Sequence, residues 1–155
     1  MLKKGTKAPH FELPNEKGDM ITLSQFLGQK VVVYFYSKNG TSGCTRQAYN
    51  FKDNFDGFIR HNIKVIGISR DSVESHRRFI DKHELQFTLV SDPELIAIKA
   101  FDCWQEKTNF GKTTFGVTRT TFIINEEGVI EKVFEKANPD TNAEDILDYL
   151  SELNE

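Results

Sequence analysis

Short runs of apolar residues along the chain predict strands that are buried on both faces. The run 30–36 is rich in β-branched and aromatic residues and shows no alternation of apolar and polar positions. The run 64–69 has the same character, and 87–90 is a shorter example. Continuous apolar runs of this length are typical of strands that other elements cover on each side. We therefore predict three buried strands.

Between these strands the apolar positions recur at helical spacing. The apolar side of the first predicted helix, which runs to about residue 60, consists of Ala48, Phe51, Phe55, Phe58 and Ile59. Residues spaced by three and four positions share one face of a helix. Ser72 is placed to begin a second helix, the segment 93–101 predicts a third, and 142–150 predicts the last.

The N-terminal part of the chain predicts a short hairpin. The segments 11–13 and 20–23 flank the turn-forming residues 15–19. We expect Ser24 to cap a single helical turn that ends near Gly28.

A second hairpin is predicted near the C-terminus, where the strands 120–124 and 129–134 enclose a turn at 125–128. Strands that alternate with helices, followed by a hairpin and a helix, indicate an α/β fold with a mixed sheet and helices on both faces. We predict one domain over residues 1–155.

Composition and charge exclude several classes of protein. Two cysteines are too few for a multi-disulfide scaffold or a four-thiolate zinc site. The 20 Lys and Arg against 23 Asp and Glu leave no basic excess, so no nucleic-acid partner is expected. The longest apolar run, 31–36, is far shorter than the roughly 18 residues that cross a membrane. The basic start, 1–5, does not lead into a signal-peptide apolar stretch, so we expect a cytoplasmic protein.

Cys44 is the residue whose position indicates chemistry. It lies between a predicted buried strand and the start of a predicted amphipathic helix, and sites in α/β proteins lie at the carboxyl ends of strands. The first turn of a helix favours a thiolate, the nucleophilic form of cysteine, and Lys38 and Arg46 add positive charge nearby. The alternative is an inert cysteine that packs as a small hydrophobe.

The segment Thr41-Ser42-Gly43-Cys44 resembles the Thr-x-x-Cys motif of the peroxiredoxins, and its surroundings are similar to the bacterioferritin comigratory protein (peroxiredoxin Q) branch. Further matching segments, in chain order, are 8–13, 33–36, 67–69, 71–76, 91–92, 111–112 and 119–124. The resemblance implies a thioredoxin-like fold and a thiol peroxidase that reduces hydrogen peroxide and small organic hydroperoxides. It implies no metal, flavin or haem cofactor.

By the same resemblance, Cys44 is the nucleophile that becomes a sulfenic acid, and Thr41 hydrogen-bonds the thiolate and the peroxide. Arg119 stabilises the thiolate and the departing oxygen, and the backbone N–H groups of Gly43 and Cys44 complete the substrate site. The implied reductant is thioredoxin, glutaredoxin or a small thiol. A monomer or weak dimer is expected.

The chain departs from the pattern of this branch in two ways that matter, and Ser42 in place of a proline is a milder change. Ser37 occupies the place of a proline, which predicts a more hydrated thiolate. Tyr49 occupies the place of the resolving cysteine that many members carry five residues after the nucleophile. Cys103 is the remaining thiol, either a resolving cysteine or a packing residue. A one-cysteine mechanism is the favoured interpretation, with a two-cysteine enzyme or a redox sensor with little turnover as alternatives.

The four histidines do not match a metal-ligand spacing. His76 and His83 are seven residues apart, and His10 and His61 are isolated. We expect surface or capping roles for them.

Overall fold

The computed structural model describes residues 2–153; Met1, with which the basic N-terminal stretch begins, lies outside them. In chain order the strands are β1 (Leu13–Pro14), β2 (Met20–Ile21), β3 (Lys30–Phe35), β4 (Ile63–Ser69), β5 (Thr88–Ser91), β6 (Trp104–Asn109), β7 (Lys112–Val117), β8 (Thr121–Ile124) and β9 (Ile130–Phe134). The α-helices are α1 (Ser42–Asp53), α2 (Phe55–Arg60), α3 (Val73–His83), α4 (Ile96–Ala100) and α5 (Asn142–Leu153).

Five of the strands form the central sheet, in the order β5-β4-β3-β8-β9. Strand β3 lies in the middle and pairs in parallel with β4, which in turn pairs in parallel with β5. On its other side β3 pairs antiparallel with β8, and β8 pairs antiparallel with β9. The predicted mixed sheet is confirmed.

The sheet separates two apolar cores, and β3 contributes to both because successive side chains of a strand point to opposite faces. Val31, Val33 and Phe35 enter one core, and Val32, Tyr34 and Tyr36 enter the other. Helix α4 and the hairpin β1–β2 cover the first core. Helices α1, α2, α3 and α5 cover the second, so the expected helices on both faces are present. Among the described residues, none of the helices combines the length and apolar character needed to cross a membrane.

The first predicted helix is interrupted at Asn54, which separates α1 from α2. Asn54 has φ −104° and ψ 9°, outside helical geometry, and its side-chain amide donates to the Asn50 carbonyl oxygen at 2.8 Å. Asparagine side chains favour such local bonds to the backbone, which compete with helix continuation. The prediction of Ile59 on the apolar face was also wrong, because this side chain is exposed.

Two other predicted boundaries were wrong because side chains cap the backbone at different places. Thr22, not Ser24, precedes the single turn, a 3₁₀ turn over Leu23–Phe26, and the Gln25 side chain accepts from the Thr22 N–H at 2.7 Å. Helix α4 begins at Ile96, later than predicted, because Leu95 adopts a left-handed φ of +64°. The buried Asp92 carboxylate accepts from the N–H of Ile96 at 2.7 Å, which fixes this later start.

The hairpin β6–β7 was not predicted. Most of its residues are exposed, so its sequence lacks the alternation of buried and exposed positions that identifies a half-buried strand. Its turn has positive φ at both central residues, Phe110 and Gly111, as a type I′ turn requires.

Gly67 lies in the middle of β4, and we expect Gly67→Ala to destabilise the fold. A Cβ there would come within 2.7 Å of the Tyr34 ring and 2.8 Å of a Leu89 methyl group. Overpacking of this kind costs about 1–3 kcal/mol, measurable as a lower urea midpoint of unfolding. The matched control is Gly116→Ala in β7, where the new methyl meets only the Lys107 side chain, at 3.3 Å. Equal midpoints for the two variants would contradict close packing at Gly67.

Candidate active site

Cys44 is the third residue of α1, which begins shortly after β3 ends. The N–H groups of the first helical turn have no intrahelical acceptors and make this end of a helix electropositive. Cys44 itself is only 2% exposed, whereas its neighbours Ser37 and Thr41 are exposed. The sulfur therefore lies just inside the protein surface, at the carboxyl end of the central strand.

Two side chains from different parts of the chain contact the Cys44 sulfur. The Ser37 hydroxyl, in the loop after β3, lies 3.4 Å from Sγ. The Arg119 guanidinium, just before β8, donates to Sγ from Nη2 at 3.5 Å. The structure thus brings the predicted Arg119 to the predicted nucleophile although they are 75 residues apart in the chain.

The Cys44 sulfur is stabilised as a thiolate. Burial by itself raises the pKa of Cys44, but the Lys38 backbone, the Ser37 hydroxyl, the nearby Thr41 hydroxyl and the charge of Arg119 together outweigh it. The net result lowers the pKa from 9.0 to about 7. At neutral pH a far larger fraction of the molecules therefore carries the nucleophilic form than for an ordinary cysteine.

Thr41 precedes α1, and its hydroxyl donates to the Lys38 carbonyl oxygen at 2.9 Å. A hydroxyl has one proton, which rotates between acceptors, and two lone pairs. While the Thr41 proton is used in the hydrogen bond to the Lys38 oxygen, the Thr41 hydroxyl can only accept a hydrogen bond from a bound molecule. This arrangement suits a ligand with an O–H group.

Arg119 is held in position by a buried chain of amide groups. Its Nη1 donates to Gln47 Oε1 at 2.7 Å, and the Gln47 amide donates to Asn142 Oδ1 at 3.1 Å. Thr121 donates to the same Asn142 oxygen at 2.9 Å. Gln47 and Asn142 are fully buried, so the arrangement is rigid. Gln47 was not predicted; its position three residues after Cys44, on the same face of α1, was the available indication.

Gly43 provides the space in which Arg119 reaches the sulfur. A Cβ at position 43 would lie 2.9 Å from Arg119 Nη2, closer than carbon and nitrogen normally approach. The sequence predicted Gly43 only through its backbone N–H. The structure adds that a methyl group here would force Arg119 to move from its place beside the sulfur.

The loop between β3 and α1 is anchored through Asn39. The Tyr36 hydroxyl donates to Asn39 Oδ1 at 2.6 Å, and the Asn39 backbone N–H donates to Asp71 Oδ2 at 2.9 Å. The Asn39 amide nitrogen lies 3.0 Å from His76 Nδ1, and His76 Nε2 lies 3.0 Å from the Val90 carbonyl oxygen. This network was also missed at the sequence level.

The expected surface or capping role was wrong for His76. The residue is fully buried, and burial lowers its pKa to about 4. A neutral imidazole has one donor and one acceptor nitrogen. Because the Val90 oxygen can only accept, Nε2 is the donor and Nδ1 accepts from the Asn39 amide. His76 thus supports the loop that carries Ser37 and Thr41.

The second thiol lies away from this site. Cys103 is 0% exposed and packs in the α4-side core, whereas Cys44 packs in the core on the opposite face of the sheet. Burial raises the pKa of Cys103 to about 11, and its sulfur contacts the Phe101 carbonyl oxygen at 3.5 Å. Tyr49, at the position where many members of the branch carry the resolving cysteine, bonds to His83 Nδ1 at 2.9 Å through its hydroxyl.

A buried thiolate at the start of a helix, with hydroxyl and guanidinium groups around it, defines a thiol-dependent oxidoreductase on an α/β scaffold. Residues 4–133 match the AhpC/TSA family, and the chain belongs to that family.

Individual relatives agree with this assignment. The chain is 41% identical to peroxiredoxin Bcp of Escherichia coli K12, over 97% of each chain, and 39% identical to peroxiredoxin Bcp of Bacillus subtilis, over 99% of this chain and 98% of the relative. Among solved structures, a cysteine-to-serine variant of Xylella fastidiosa peroxiredoxin Q aligns with a TM-score of 0.93 at 33% identity, covering 100% and 99% of the two chains.

The bacterioferritin comigratory protein of Xanthomonas campestris aligns with a TM-score of 0.88 at 33% identity, over 94% of this chain and 92% of that one. The resemblance inferred from the sequence and the thioredoxin-like fold are confirmed, and the chain is a peroxidase of the peroxiredoxin type.

We expect Gly43→Ala to slow peroxide reduction by about tenfold or more, because the new methyl group displaces Arg119 from the sulfur. The measurement is the rate of peroxide consumption with a thiol reductant in excess. Alanine is favoured over glycine within a helix by about 1 kcal/mol, so the variant should not unfold more easily. Unchanged activity in the folded variant would contradict the role of the close approach.

Proposed function

We propose that Cys44 is the nucleophile of this peroxidase and that Thr41 and Arg119 act on its substrate. The observation that carries the proposal is the contact of the Arg119 guanidinium with a sulfur that is already partly ionised at neutral pH. A cation at this place stabilises the thiolate before the reaction and the negative oxygen that forms during it.

In the proposed step the thiolate attacks one oxygen of a hydroperoxide. A sulfur–oxygen bond forms, the oxygen–oxygen bond breaks, and Cys44 becomes a sulfenic acid while the peroxide is reduced. The second oxygen leaves as hydroxide or alkoxide, takes up a proton from water and departs as water or an alcohol. Thr41 accepts a hydrogen bond from the peroxide O–H, Arg119 donates to its oxygens, and the N–H of Gly43 is a further donor.

We propose a one-cysteine form of the reaction cycle. Cys103 is fully buried, lies across the sheet from Cys44 and has a raised pKa, all of which disfavour attack on a sulfenic acid at position 44. Tyr49 cannot form a disulfide. An external thiol then attacks the sulfenic acid, releasing water and forming a mixed disulfide, and a second thiol restores Cys44. Thioredoxin, glutaredoxin or a small thiol are the candidate reductants.

The proposed substrate class rests on the polar groups around the sulfur and on the relatives. The solved Xanthomonas campestris protein is described in terms of its alkyl peroxide reduction activity. We propose hydrogen peroxide and small alkyl hydroperoxides as substrates of this chain.

The rate at which peroxide oxidises Cys44 should rise with pH and level off above a midpoint near 7. Below the pKa of Cys44 the thiolate fraction falls about tenfold per pH unit, and above it nearly all molecules are ionised. Single-turnover oxidation, quenched at intervals and followed by mass spectrometry of the Cys44 peptide, measures this rate. A midpoint near 9, the ordinary cysteine value, would contradict the proposed activation.

The two cysteines should differ in their importance for turnover. We expect Cys44→Ser to abolish peroxide consumption and Cys103→Ala to retain it with an external thiol. The groups around Cys44 lower its pKa, whereas at Cys103 burial outweighs the hydrogen bonds and raises the pKa. Peroxide-treated protein should carry a sulfenic or sulfinic acid at Cys44. An intramolecular disulfide between positions 44 and 103 would overturn the one-cysteine form. Oxidation that no reductant reverses would favour a redox sensor instead.

A further inference from the structure

We propose that Ser37 is a further catalytic residue, whose hydroxyl donates a hydrogen bond to the reacting sulfur of Cys44. The proposal rests on the proposed function, in which Cys44 is the nucleophile. The two atoms lie 3.4 Å apart, within hydrogen-bond range for sulfur. The proline that the family usually has at this position has no hydroxyl to donate.

The direction of this hydrogen bond follows from the charge of the sulfur. A thiolate has no proton and can only accept, so in the ionised enzyme the hydroxyl of Ser37 is the donor. Hydrogen bonds to an ionised acceptor are about twice as strong as those between neutral groups. In agreement with this direction, Ser37 is one of the groups that lower the pKa of Cys44.

The three side chains around the sulfur have different hydrogen-bonding roles. Arg119 donates from the loop before β8, and Ser37 approaches from the loop after β3. The Thr41 hydroxyl is engaged with the Lys38 carbonyl oxygen at 2.9 Å. Ser37 is therefore the hydroxyl in direct contact with the sulfur in this state, and Thr41 is the one prepared to accept from substrate.

The backbone on both sides of Ser37 is fixed, which keeps its hydroxyl near the sulfur. The N–H of Tyr36 donates to the Ile68 carbonyl oxygen of β4 at 3.1 Å. The N–H of Asn39 donates to the Asp71 carboxylate at 2.9 Å. On an unanchored loop, an exposed serine hydroxyl would exchange its bond to the sulfur for one to water. Here the anchored loop keeps the Ser37 hydroxyl beside the sulfur.

A donor at the sulfur has two opposite effects on reactivity. It increases the thiolate fraction at low pH, but it withdraws electron density and makes each thiolate a weaker nucleophile. Reactivity of thiolates changes by about 0.4–0.5 logarithmic units for each unit of pKa. The removal of the hydroxyl therefore predicts a slower reaction at low pH and a faster one at high pH. A merely structural residue would not reverse its effect in this way.

The experiment measures the second-order rate at which iodoacetamide alkylates Cys44 between pH 5.5 and pH 9.5, by mass spectrometry of its peptide. If Ser37→Ala raises the pKa of Cys44 by one unit, the variant should react about threefold more slowly than the unaltered protein at pH 6. At pH 9 it should react about threefold faster. Ser37→Thr, which keeps the hydroxyl, should follow the unaltered protein. The control is Ser42→Ala, which removes a nearby hydroxyl whose partner is Arg46, at 2.7 Å.

Profiles that cross for Ser37→Ala but not for Ser37→Thr or Ser42→Ala support the proposal. Identical profiles for all proteins, an equal loss of rate at every pH in Ser37→Ala, or a crossing profile in Ser37→Thr would each overturn it. Alkylation requires no peroxide and no reductant. A failure of the peroxidase function would instead show as absence of peroxide consumption by the unaltered protein, so the two failures are distinguishable.

Discussion

The contact between Arg119 and the Cys44 sulfur depends on the pairing of β3 with β8. In this antiparallel pair Tyr34 lies opposite Thr121, and the Phe35 N–H donates to the Thr120 carbonyl oxygen at 2.9 Å. The end of β3, which leads to Cys44, thus lies beside the start of β8, which follows Arg119. A shift of one residue in register would turn the side chains of β8 to the other face of the sheet. The register of the sheet is therefore also the geometry of the site.

Around the sulfur, hydrogen bonds between buried polar groups hold the functional side chains in place. Gln47 and Asn142 tie the arginine to α1 and to the start of α5, while Asn39 and His76 tie the loop after β3 to α3. The oxygen of Asn142 accepts from both Gln47 and Thr121, and buried hydrogen bonds of this kind are costly to break, which favours a single arrangement. The donors thus stand in place before a substrate arrives, which is the condition for electrostatic stabilisation of a reaction.

The sequence was sufficient for the parts of the fold that depend on local pattern. The apolar run of β3, the stripe of α1 and the position of Cys44 between them were all predictable, because each is encoded in neighbouring residues. The exposed hairpin β6–β7 carries no such pattern and was missed. Gln47, Asn39 and His76 were missed for a different reason: their importance comes from partners distant in the chain, which only the folded protein brings to them.

Helix α1 is bonded to α3 at the position where, by the resemblance stated above, many members of the branch have a second thiol. The Tyr49 hydroxyl contacts His83 Nδ1 at 2.9 Å, and Lys52 donates to the His83 carbonyl oxygen at 2.7 Å. In the proposed one-cysteine cycle this helix stays folded, so the enzyme has nearly the same outline before and after it reacts with a peroxide. A reducing partner then has little more than one added oxygen atom by which to distinguish the oxidised enzyme from the reduced one.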